Sequence, residues 1–211
     1  TNTAFTATTT SEASTCAFVV NVNKLALAQA LSTGSYSTNT EKLGDITGTT
    51  RKVTITQPGT KDPLVVELSD ADTSIQGIAN AINKANGNVT ASVIKAKEGD
   101  YRLMLTSKST GTDGEMTISV NGDDKLQAAI GYDSTNKTGA LVLKTPAQNA
   151  VVVVNEIEIE RQSNTITDAL PGVTFALKAE SKEDETLNID RATDISLFYT
   201  SVAADDFIGV D

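Results

Sequence analysis

Short β-branched runs separated by turn residues make up most of the chain, and the densest lies at residues 150–178. Within 151–160, four valines and two isoleucines are interrupted only by Asn155 and three glutamates, a bias that belongs to strands. Two strand readings are open. As one straight strand, Val151, Val153, Ile157 and Ile159 share a face and Glu156, Glu158 and Glu160 point away. With a turn at Asn155-Glu156, cross-strand pairing gathers Val152, Val154, Ile157 and Ile159 and leaves Glu158 and Glu160 outside. The hairpin is preferred because the run exceeds the usual strand length of about five or six residues. Its cost is a non-glycine residue at positive φ, roughly 1–2 kcal/mol. Downstream, Thr165 and Asp168 are spaced as a capping pair that predicts one helical turn with Ile166, Ala169 and Leu170 on its apolar side. Pro171-Gly172 ends that turn, and residues 173–178 return as a strand.

Elsewhere the same reading gives an ordered series. Residues 1–15 are polar and threonine-rich, more linker than core. Residues 16–22 form the first strand, whereas 24–31 suits helix by composition and strand by the alternation of Leu25 and Leu27. Residues 32–50, with Gly34, Gly44 and Gly48, are a turn-rich connection and the natural boundary. Val53 and Ile55 alternate with Thr54 and Thr56, residues 57–60 turn, and 64–68 answer as partner strand. A helix follows, with Thr73 as N-cap, Gln76 in the capping-box position, Ile75, Ile78, Ala79 and Ile82 on one face, and Gly87 at its end. Residues 89–97 and 101–107 make a second hairpin, and 116–120 a fifth strand. The expected fold is mainly β with few helices, a β-rich α+β chain of two domains, the second inserted into the first. Residues 47–144 form the inserted β2-α-β3 domain, 1–46 with 145–195 the discontinuous one, and 196–211 an unassigned tail.

Composition narrows the chemistry. With 39% hydrophobic residues, 4% aromatics and no tryptophan, the core is aliphatic. The net charge of −10 is uneven. Residues 1–46 hold two basic and three acidic side chains, 47–144 eleven of each, and 145–211 four and thirteen. Such a chain has no counterion-release drive toward nucleic acid or anionic lipid. The acidic groups Glu156, Glu158, Glu160, Glu183, Asp184 and Glu185 are expected to face solvent, since like charges repel across an interface. Residues 1–15 lack a leader pattern, and no stretch approaches about twenty apolar residues, so no membrane insertion is expected.

Absence of histidine removes Ser-His, Cys-His and His-metal sites. Cys16, alone, reads as a small buried apolar residue in a strand. Ser92 and Lys95 match a Ser-x-x-Lys pattern, but an alternating strand sends them to opposite faces. Gly111 and Gly114 lack the context of a phosphate cradle. Asp123-Asp124 and Asp205-Asp206 read as solvated loop acids. The expectation is no catalytic, cofactor or metal site, and no enzyme.

Four segments, at residues 20–31, 68–83, 101–111 and 164–174, together resemble the bacterial flagellar filament cap family, also called flagellar hook-associated protein 2. The resemblance covers about 16–190. It implies a head of two β-rich domains, the distal inserted into the proximal, and extracellular placement at the flagellum tip without a cleaved signal. It further implies a homo-oligomeric ring that guides flagellin, contacts with hook-filament junction proteins, and in some members adhesion to host surface or mucus. Three departures stand out: Asn155-Glu156 where the family often has Asn-Gly, no helical coiled-coil leg segments, and a continuation at 192–211 unlike the family's. Without legs, a monomer or weak oligomer is expected. The alternative is a monomeric extracellular adhesin or carbohydrate-binding module using Tyr36, Tyr101, Tyr132 and Tyr199 as platforms.

Overall fold

Two strands that join different sheets, β1 (Phe5–Thr9) and β2 (Cys16–Lys24), open the chain in the computed structural model, which describes residues 3–189. The path then leaves this region at Ala26 and does not return until Asn149. Between them come β3 (Ala30–Ser32), β4 (Arg51–Thr56), β5 (Leu64–Leu68), α1 (Ile75–Ala85), β6 (Val89–Lys97), β7 (Asp100–Ser107) and β8 (Thr117–Asn121). They are followed by α2 (Asp124–Ile130), β9 (Tyr132–Asp133), β10 (Thr138–Gly139) and β11 (Val142–Thr145). The returning chain forms β12 (Ala150–Val154), β13 (Ile157–Arg161), β14 (Thr165–Leu170), β15 (Val173–Leu177) and β16 (Glu185–Ile189). The fold is thus mainly β, with one unit inserted into the other.

The discontinuous unit has two sheets, ordered β13-β12-β2-β16 and β1-β15-β14. Alternation along each strand sends one side-chain set inward. Val20, Val22, Val152, Val154 and Leu187 from the first sheet meet Phe5, Ile166, Val173 and Phe175 from the second in a single core. Phe18 packs at its margin. Phe5 and Phe175 stack edge to face with centroids 5.8 Å apart, the geometry the ring quadrupole favours. As the pairing argument expects, β12 and β13 form a hairpin, Val152 opposite Ile159 and Val154 opposite Ile157. Asn155 and Glu156 take φ values of 46° and 67°, the signature of a two-residue I′ turn.

Three expectations here are corrected. Residues 1–15, read as more linker than core, supply β1, which pairs with β15 and buries Phe5 and Ala7 in the core. Residues 165–170 are a strand and not a helical turn: Ile166 sits opposite Phe175, and Leu170 opposite Val173. A helical turn would withdraw the backbone partners that β15 needs and lift Ile166 out of the core, so tertiary pairing overrides the local capping signal. Asp168 instead accepts from Arg161 Nε at 2.9 Å. Cys16, expected as a buried apolar residue, is exposed at the first position of β2, although Ile189 opposite it is buried.

The inserted unit contains sheets β10-β9-β8-β4-β5 and β11-β3-β7-β6. Its boundaries lie at 26/27 and 148/149, outside the expected 46/47 and 144/145. The reason is that β3 pairs with β7 and β11 and buries Leu31 in this unit's core. Residues 24–31 are therefore no helix, and the unit exceeds a β2-α-β3 plan. Helix α1 packs Ile75, Ile78, Ala79 and Ile82 into that core, each apolar side chain contributing roughly 1.5–3 kcal/mol. That stripe sets where the helix starts. Ser74, not Thr73, is the N-cap, its Oγ accepting from Gly77 N at 3.1 Å. Gln76 donates to Asn80 and closes no capping box. At the far end Asn86, with φ 49°, holds the left-handed position expected of Gly87.

Asp123, expected as a loop acid, is buried. Its Oδ1 accepts from Leu126 N at 2.8 Å and caps α2, a helix that the sequence reading missed although Asp123 and the Leu126/Ile130 spacing signal it. Its Oδ2 accepts from Asp45 N and lies 3.0 Å from Arg51 Nε, an ion pair without hydrogen-bond alignment. Fully buried Arg51 also donates through Nη2 to Asp45 O and Asp70 Oδ1, both at 2.6 Å. Asp70 in turn accepts from the backbone N–H groups of Thr47 and Gly48. One guanidinium thereby fastens loop 45–48 to β4, to the turn before α1 and to the start of α2. The Arg51 hydrogen bond, with those two backbone donors, holds the Asp70 carboxyl down at about 2.

Three outcomes are expected. Phe175→Ala should lower unfolding free energy by about 3–5 kcal/mol, read as a shift of the urea midpoint with unchanged slope. A depressed folded-state pKa stabilises above the unfolded value and loses that contribution as pH falls through the folded one. Asp70→Asn should therefore lower Tm at neutral pH, and the gap from the parent should close as pH falls from the ordinary carboxylate range toward about 2. Glu156→Gly should stabilise the hairpin by about 1 kcal/mol, since glycine adopts positive φ freely; a lowered Tm would refute the strain.

Candidate interaction surface

Alternation in β12 means that a run of four valines cannot all enter one core. Val152 and Val154 are buried, while Val151 and Val153 are turned to the outer face of the sheet and remain half-covered. On neighbouring β2 the same parity leaves Val19 46% exposed, beside Asn21. This apolar face was legible in residues 151–154 once a buried neighbouring face is assumed, and sequence reasoning passed over it. The turn closes its end: Asn155 N donates to Val19 O at 2.9 Å, and Asn155 Oδ1 accepts from Val19 N at 2.8 Å. Asn21 Nδ2 donates to Asp184 Oδ1 at 2.8 Å. Together Val19, Asn21, Val153, Asn155, Glu156 and Asp184 line a groove of about 440 Å³.

A second groove of about 370 Å³ lies along the hairpin's other side, floored by Phe18, Val154, Ile159 and Leu170. Ile157, 67% exposed, stands at its lip with Glu158 and Glu160. Five of the six singled-out acids, Glu156, Glu158, Glu160, Glu183 and Asp184, are exposed, and Glu185 is half-covered.

The residues weighed for chemistry do not converge. Ser92 and Lys95 pair with Met104 and Tyr101 on β7, three positions apart and so on opposite faces. Lys95 Nζ donates to Glu98 Oε2 at 2.6 Å, which holds its ammonium above the ordinary range and suits it poorly to act as a base. Gly111 and Gly114 bracket a 3-10 turn, and a Cβ on Gly114 would fall 2.4 Å from Ser109 O, so this glycine serves close packing. Asp124 lies in the first turn of α2, and Asp205, Asp206 and Tyr199 lie outside the described residues. Among the described residues, no group of three or more His, Cys, Asp or Glu is placed to hold a metal. No helix among them is long and apolar enough to cross a membrane. Tyr132 is 3% exposed and offers no platform; Tyr101 carries Lys95 Nζ 5.5 Å above its ring and is tied to Tyr36 through reciprocal backbone hydrogen bonds. Among the described residues, this surface presents exposed apolar and acidic side chains.

Known proteins match this chain over most of its length. Residues 147–207 match a family model described as "Flagellar hook-associated protein 2 C-terminus", and residues 52–109 match the "Flagellin hook IN motif". The first match runs well into 192–211, which corrects the expected departure there. The flagellar hook-associated protein 2 of Salmonella typhimurium is 44% identical over 164 residues, 77% of this chain and 35% of that protein. That of Xenorhabdus nematophila is 43% identical over 192 residues, covering 87% of this chain and 39% of that protein. The chain thus spans little more than a third of these relatives. The crystal structure of the D2-D3 domains of the Escherichia coli flagellar cap protein FliD superposes with a TM-score of 0.85 at 39% identity. It covers 91% of this chain and 97% of that one. The equivalent domains from Serratia marcescens give 0.81 at 37% identity, over 89% and 100%. With both units, their order and their sequences accounted for, the chain belongs to the flagellar hook-associated protein 2 family, the flagellar cap proteins, and corresponds to their D2-D3 region.

Proposed function

We propose that this chain is the two-domain head of a flagellar cap, a structural element at the extracellular tip of the filament. In this reading copies assemble into a ring there and promote flagellin addition, with flagellin and the hook-filament junction proteins as assembly partners. The discontinuous unit is the proximal head domain and the inserted unit the distal one. The observation that carries the reading is the match of the whole nested arrangement to the Escherichia coli D2-D3 chain, near-complete in both directions. Physical character supports it: rigid antiparallel sheets, an aliphatic core, and exposed apolar and acidic surface suit repeated protein contacts better than chemistry on a small molecule. The adhesin alternative is less well supported, since among the described residues its aromatic candidates Tyr36, Tyr101 and Tyr132 are engaged or buried.

Exchange of the head segment in the Salmonella typhimurium protein for this chain tests the proposal. The chimaera is expected to restore filament growth and swimming to a strain lacking its own cap. A folded, secreted chimaera that leaves filaments unformed and flagellin free in the medium would overturn it.

A further inference from the structure

The two units treat their charges differently. In the inserted unit Arg51, Lys52, Lys95, Arg102 and Lys125 each meet a carboxylate of the same unit. In the discontinuous unit the ion pair among the described residues is Arg161 with Asp168, and Glu156, Glu158 and Asp184 have no cationic partner there. By sequence this unit holds five basic and fourteen acidic residues, against twelve and thirteen in the inserted one. The unneutralised charge is not spread over a wholly polar face. Glu156 and Asp184 rim the groove whose floor is Val19 and Val153, on a sheet surface where solvent exposure alone would favour polar side chains. Glu156 moreover occupies the positive-φ turn position where glycine is the relaxed choice.

We propose that this groove docks a lysine- or arginine-bearing segment of a partner polypeptide. The aliphatic stem of the cation lies along Val19 and Val153, and its head sits between the Glu156 and Asp184 carboxylates. Long cationic side chains are built for such a site, with an apolar stem and a charged end, and an exposed carboxylate pair supplies orientation and on-rate. Sulfated or sialylated glycans, nucleic acid and anionic lipid carry the wrong charge. A second copy of this chain is disfavoured as occupant, because neither unit is basic. The inference goes beyond the cap reading and does not depend on ring formation.

Three fluorescein-labelled synthetic peptides test it by anisotropy against the whole chain: alternating Lys/Val, alternating Lys/Ser and alternating Glu/Val. Lys/Val is expected to bind saturably, about tenfold tighter than Lys/Ser, and Glu/Val not at all. Raising NaCl from about 0.05 to about 0.3 M should weaken it several-fold. Asp184→Asn should weaken binding without lowering Tm. Glu156→Gly should weaken binding while raising Tm, an opposition that a purely structural role for Glu156 would not produce. Glu67→Gln in the inserted unit should change neither. Equal affinity for Lys/Ser and Lys/Val, no saturable binding, or undiminished binding by both groove variants would overturn the proposal. So would self-association in sedimentation that Asp184→Asn abolishes, which would assign the groove to a second copy.

Discussion

Pairing of β2 with β12 is the contact on which the architecture depends. Val20 lies opposite Val154 and Val22 opposite Val152, residues separated by about 130 positions along the chain. Closing so long a loop has an entropic cost that grows only logarithmically with its length, so an entire folded unit in place of a short turn adds only about 3 kcal/mol. The core provides the compensation. β2 and β12 are the two central strands of their sheet, and their inward valines meet the aromatic pair from β1 and β15. Without this register the four-stranded sheet falls into two pairs, β13-β12 and β2-β16, neither of which alone presents the full valine set that packs on β1-β15-β14.

The inserted unit faces a different constraint. Its two sheets and α1 share one aliphatic core, but loop 45–48 and the start of α2 contribute few apolar groups to hold them. Buried Arg51 fills that role through Asp45, Asp70 and Asp123. A buried charge is tolerated only when paired and hydrogen-bonded, so this cluster specifies one arrangement of three segments more than it adds raw stability. Its position explains why an acid in an apparent loop, Asp123, is among the most buried polar residues of the chain.

Surface character follows from these cores. Once Val152 and Val154 are committed inward, their neighbours must face out, and the valine run leaves an apolar outer face. The turn at Asn155-Glu156 then places a carboxylate beside it. The surface on which the proposed docking rests is thus the side of the sheet the core does not use.

Sequence alone determined the elements with strong local signals. The β12–β13 hairpin, the β4–β5 and β6–β7 pairs, the apolar stripe of α1 and the interruption of one domain by another all follow from period, turn residues and charge distribution, which are local quantities. Tertiary structure decided what depends on partners far along the chain. Residues 165–170 became strand because β15 offered an edge and a core place for Ile166. Ser74 displaced Thr73 because burial of Ile75, Ile78 and Ile82 set the helix phase. Residues 30–32 joined the inserted unit because β7 and β11 lay open to receive them. Asp123 went into the interior because its environment is supplied by Arg51, a residue that no local pattern connects to it, and the exposure of Cys16 at the start of β2 is likewise a property of the folded sheet and not of its apolar neighbours in sequence.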